Sequence, residues 1–153
     1  MTNDHIGIFE VQCKNKITGK ITIDTIYNKI PNSVLSQLIN PLTGVTTNLI
    51  IKYLAVGTGG GVTSDTQTTL NAEMFRTVPV SAPTLTNVGR VETGFTILDV
   101  EANVHIMELG IFVGVGATAS FNTGILLSRV QYDKVKTNSE EISINRIDIL
   151  KRG

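Results

Sequence analysis

The chain has 153 residues, enough for one domain with a substantial core and too few for two. Lys plus Arg and Asp plus Glu both number 13, so no net field steers the protein toward nucleic acid or anionic lipid. Cys13 is the only cysteine, which excludes an intramolecular disulfide framework and a cysteine-rich zinc cluster, and fits assembly in a reducing cytoplasm.

The opening "MTNDHIGIFE" is polar and acidic and does not read as a secretory signal. Short runs rich in Ile, Val and Thr, separated by Gly, Asn and Pro, predict strands at 6–12, 17–27, 49–56, 88–98, 104–114, 124–130 and 141–150. Between Pro31 and Pro41, the residues Val34, Leu35, Leu38 and Ile39 recur at helical spacing and predict a short helix over 32–39 that packs its apolar stripe on the sheet. A second helical turn is expected at 68–75, although 74–80 also reads as a strand. The uncharged segment 109–128 approaches the length of a membrane span, but Thr118, Ser120, Asn122 and Thr123, with Gly114, Gly116 and Gly124, divide it into two buried strands and a loop. The expected fold is mainly β: a single-domain antiparallel β-sandwich, or a barrel-like closure, with one short helix near 32–39. Residues 1–48 form a possible docking hairpin plus helix, and 49–150 the sandwich body.

The stretch "LAVGTGGGVTSDT" runs from a strand into a glycine loop, as phosphate cradles do. Counting from Gly57 gives Gly59 and then Val62 where a dinucleotide fingerprint needs its third glycine. A P-loop needs a lysine, and none occurs between Lys52 and Lys134. The glycines read instead as positions that free the backbone on leaving a strand, with Ser64, Asp65 and Thr66 as turn and capping residues.

Catalytic groups are sparse. His5 lies near the terminus and His105 within a strand; His105 and Glu108, three apart, fall on opposite faces and meet on one metal only through a bulge. No nucleophile-elbow sequence is present. Asp99, Glu101 and Glu108 are the carboxylates available to a hydrolase, and only their presence supports that reading. No cofactor or metal is expected.

Charges that interrupt apolar faces carry more information. Alternation puts Val104, Ile106, Glu108, Gly110 and Phe112 on one face, and Phe121, Ile125, Leu127 and Arg129 on another. An unpaired buried charge is costly, so Glu108 is expected to pair with Arg129 or Arg76, with Glu73 joining them, as a structural network that fixes strand register. Five Phe, three Tyr and no Trp leave few rings for a carbohydrate or single-strand binding face.

The succession "YLAVGTGGGVTSDTQTTLNAEMFR", "VEANVHIMELGIFVG" and "TGILLSRV" resembles small virion structural proteins of tailed bacteriophages and prophages. The matching positions are Gly57, Thr58, Gly59, Leu70, Glu73, Arg76, Asn103, Glu108, Gly110, Phe112, Thr123, Gly124, Leu126 and Arg129. The resemblance spans roughly residues 49–149. It implies a non-enzymatic β-sandwich subunit of the tail, baseplate or fibre, in repeated symmetric copies such as a trimer and beside other virion proteins. The alternatives are a capsid decoration protein or a host-surface binding module. It places the protein in the virion, assembled in the host cytoplasm, with no nucleic-acid, membrane or small-molecule partner. The candidate subunit-interface loops are Gly57, Gly59, Gly60, Gly61 and Val62 in the glycine loop, and Val115, Gly116, Ala117, Thr118, Ala119 and Ser120 in the uncharged "VGVGATASFN". The arm before Ile6 is a third.

Overall fold

The computed structural model describes residues 5–28 and 30–150; the arm before Ile6, apart from His5, lies outside them. Two antiparallel sheets pack face to face as a β-sandwich. The five-stranded sheet has the order β2 (Ile21–Asn28), β1 (His5–Asn15), β9 (Glu140–Leu150), β6 (Arg90–Ile97), β5 (Ser81–Asn87). The four-stranded sheet has the order β4 (Glu73–Thr77), β3 (Ile51–Gly57), β7 (His105–Val113), β8 (Ile125–Val135). The hairpin of residues 5–28 belongs to the first sheet: β1 pairs along its length with β9 and sends Phe9, Val11 and Cys13 into the core.

Between the sheets, these residues meet Phe95, Ile97, Ile142 and Ile144 on one side and Leu54, Val56, Leu109, Ile111 and Val130 on the other. All are β-branched or bulky apolar side chains at alternating strand positions, the pattern that a half-buried strand requires. The expected helix forms as α1 (Asn32–Ile39), with Pro31 at its N-cap, and a 3-10 turn (Asn40–Thr43) follows. Its apolar stripe packs less completely than its spacing predicts. Val34 is buried, whereas Leu35, Leu38 and Ile39 remain substantially exposed.

Residues 68–75 do not form a helical turn. Glu73–Thr77 is strand β4, because its backbone bonds to the otherwise open edge of β3. β5, which holds Pro83, adds a further strand, giving nine strands among the described residues in place of seven. The predicted strand at 17–27 begins only at Ile21, because Asn15 Oδ1 accepts hydrogen bonds from the Ile17 and Thr18 amides and folds that segment into the hairpin turn.

The outer face of the four-stranded sheet is also covered. Ala55, Phe112 and Leu126 point away from the main core and form a second, smaller cluster with Leu70 and Ala117, which descend from the segments 58–72 and 114–124. These two segments fold back over the sheet as a roof.

Candidate functional site

Beneath that roof lie the charges singled out in the sequence, arranged as two rungs. Cα register places Glu73, Gly57 and Glu108 side by side across β4, β3 and β7. The neighbouring rung holds Arg76, Ala55, Gly110 and Arg129 across β4, β3, β7 and β8. Small residues thus separate the charged ones, which leaves room for long side chains to lie flat under the loops.

Strict alternation would not bring these charges to one face. Glu73 and Arg76 are three apart and should point oppositely, but a register shift opposite Val56 and Gly57 turns both outward. A second shift between Ile106 and Glu108 leaves Ile106 in the main core while Glu108, Gly110 and Phe112 face the roof. A third, between Ile111 and Phe112, keeps Leu127 in the core and turns Leu126 and Arg129 outward. The faces expected from alternation are therefore corrected: Glu108 does not share a face with Ile106, nor Arg129 with Leu127. Phe121 lies outside the strands and is half-exposed.

Glu108 is 0% exposed, and its carboxylate accepts four hydrogen bonds. Oε1 accepts the amides of Gly59 at 3.1 Å and Ala72 at 2.7 Å; Oε2 accepts the amide of Asn71 at 2.9 Å and Arg129 Nε at 2.6 Å. Arg129 spends its remaining donors on the glycine loop: Nη1 reaches Gly61 O at 2.9 Å and Thr63 Oγ1 at 3.0 Å, and Nη2 reaches Gly59 O at 3.2 Å. Such complete satisfaction is what a desolvated ion pair requires. A Cβ on Gly57 would lie 2.3 Å from Glu108 Oε1, and one on Gly59 2.4 Å from Asn71 Cβ. The two glycines are there for close approach.

Glu73 and Arg76 make a separate, bidentate pair at 2.6 and 2.8 Å. The Arg76 guanidinium stacks over Phe112 at 4.5 Å and Tyr53 at 5.1 Å. Its Nη1 donates to Thr118 O at 2.8 Å and Thr123 Oγ1 at 3.1 Å, while Glu73 Oε1 accepts the Asn122 amide at 3.0 Å. Each roof segment therefore has its own ion pair.

Of the residues expected at an interface, Gly57 and Ala117 are buried under the roof, and Gly59 is half-buried. Gly60, Gly61, Val62, Val115, Gly116, Thr118, Ala119 and Ser120 face outward, with Val62 86% and Val115 73% exposed. The carboxylates weighed for hydrolysis are apart in role: Asp99 bonds Lys16 at 2.9 Å and Glu101 accepts the Leu98 amide at 2.8 Å. His105 is exposed and bonds Asp133 at 2.6 Å.

Sequence reasoning passed over two further buried cations. Arg146 is 0% exposed on the core face of β9, over Phe9 at 4.6 Å, bonded to Asp148 at 2.7 Å and Asn28 at 2.8 Å. The alternation Ile142, Ile144, Arg146 carries the same signal that singled out Glu108. Lys136 Nζ donates to the carbonyls of Leu98 at 2.9 Å and Glu101 at 2.8 Å and to Asn103 Oδ1 at 2.8 Å; burial lowers its pKa. It closes the turn between β6 and β7.

Fold and site together define an antiparallel β-sandwich protein whose outer sheet face is roofed by two loops clamped on buried ion pairs. Comparison with protein-family models, with curated proteins and with solved structures returns no match.

Proposed function

We propose that this chain is a non-enzymatic structural protein of a phage virion, assembling in repeated copies in the tail, baseplate or fibre. One observation carries the reading. The positions of the phage-protein resemblance are scattered over 73 residues of sequence, yet most gather into the roofed sheet face: Gly57, Gly59, Glu108 and Arg129 at one clamp, Glu73, Arg76, Phe112 and Thr123 at the other, with Leu70, Gly110 and Leu126 between them. A particle component needs loops of fixed shape, because an ordered contact loses less conformational entropy on assembly. The roof supplies such a surface, and Asp65 is the one charged residue among those that face outward from it, so contact with a neighbour elsewhere on the roof strands no ion.

Size-exclusion chromatography with light scattering, together with sedimentation of particles from an infected or induced host, tests the proposal. A defined multimer that co-sediments with particles is the expected result. A chain that remains monomeric and never accompanies particles overturns it.

A further inference from the structure

We propose that the free edge of β2 pairs with the same edge of a second copy, antiparallel about a two-fold axis at Thr25, joining two five-stranded sheets into one. This names a contact for the self-association in the proposed function and rests on that reading for its biological setting only.

The Asn15 amide donates to Lys20 O, which fixes the phase of the β1–β2 ladder: Thr22, Asp24, Ile26 and Asn28 turn their backbone groups toward β1. The N–H and C=O groups of Ile21, Ile23, Thr25 and Tyr27 therefore point to the open edge. None of these groups has a partner among the described residues. The same four residues form the outer side-chain row, where Ile23 is 69% and Tyr27 68% exposed. The other edges are protected. β5 carries Pro83 and two register shifts, β4 is five residues long, and Thr63 Oγ1 caps the Arg129 carbonyl on β8.

What covers a regular edge of this kind is another strand, and β2 is complementary to itself. Centring the axis on Asp24 would set two carboxylates face to face, which is unfavourable. Centring it on Thr25 sets Thr25 against Thr25 and each Ile23 against the other copy's Tyr27, two β-branched–aromatic pairs on the outer face. Each opposed pair exchanges two N–H···O bonds. The chain's equal numbers of acidic and basic residues add no net repulsion between copies.

Cross-linking tests the register. In the Thr25→Cys variant the two new thiols face each other with Cα atoms about 5.5 Å apart, within reach of a disulfide. In Ile23→Cys they are about 13 Å apart along the strands. With oxidised glutathione as oxidant, Thr25→Cys is expected to form a covalent dimer about tenfold faster than Ile23→Cys. Wild type, whose only thiol is buried, serves as the blank. Thr25→Pro, which removes only an outward N–H, is expected to lower the mass in solution and leave the fold intact by circular dichroism. Equal cross-linking of the two variants, or an unchanged mass for Thr25→Pro, overturns the edge contact while leaving assembly through other surfaces standing. A Thr25-linked dimer that never accompanies particles would sink the virion reading and leave the edge contact in place.

Discussion

Arg129 Nε lies 2.6 Å from Glu108 Oε2, and neither side chain is reached by solvent. Both carboxylate oxygens accept only from donors, three of them backbone amides of the roof. An isosteric Glu108→Gln change therefore turns an NH2 group toward donors. Breaking a buried pair from one side costs about 3–5 kcal/mol, a large part of the stability of a domain this size. Glu108→Gln and Arg129→Met are each expected to lower the urea midpoint sharply, and the double variant to cost less than their sum. Denaturant titration of the three variants checks this.

Glycines in the same loop should differ in tolerance. Gly57→Ala and Gly59→Ala push a methyl against Glu108 Oε1 and Asn71 Cβ, whereas the nearest atom to a Cβ on Gly60 is the flexible end of Met107, at 3.3 Å. Thermal melts should show losses of about 2 kcal/mol or more for the first two and a change within about 0.5 kcal/mol for Gly60→Ala.

Arg76→Lys tests the second clamp. Lysine keeps the charge but cannot pair bidentately with Glu73, stack as a plane on Phe112 and reach Thr118 O together. The expected outcome is faster amide exchange at Thr118 and Asn122, with protection in the five-stranded sheet unchanged.

The fold was legible because the core strands of the five-stranded sheet follow simple alternation, as Phe9, Val11 and Cys13 or Ile142 and Ile144 do, and the short helix because its spacing lies between prolines. The faces of the charged residues were not legible. Three register shifts move Glu73 and Arg76, Glu108, and Arg129 out of phase with their strands, and bulges leave no local mark in composition. The pairing of Glu108 with Arg129 could still be anticipated because both strands slip, so the errors in face cancel. β4 was ambiguous for a related reason: "EMFR" spaces its charges as a helix would, and only the open edge of β3 makes it a strand.

Acid should loosen the opposite sheet. Burial opposes ionisation of Glu140, yet Lys134, the Thr137 amide and Cys13 Sγ hold its pKa near about 2, against 4.5 for a free glutamate. Between those values the unfolded chain binds a proton that the folded chain refuses, so stability falls as pH drops from 4.5 toward 2 and is complete above that window. Asp148 is also lowered: burial opposes this, but Arg146 and His5 outweigh it, and it adds to the same acid loss. In Glu140→Gln the plot of urea midpoint against pH should be shallower over that range.

The central structural claim is that the glycine loop is a fixed roof clamped by Glu108 and Arg129, and hydrogen exchange tests it most directly. The amides of Gly59, Asn71 and Ala72, which all donate to the Glu108 carboxylate, should exchange as slowly as core strand amides and lose that protection in Glu108→Gln. Rapid exchange of these three amides in the wild-type protein, at the rate of an open loop, would contradict the account.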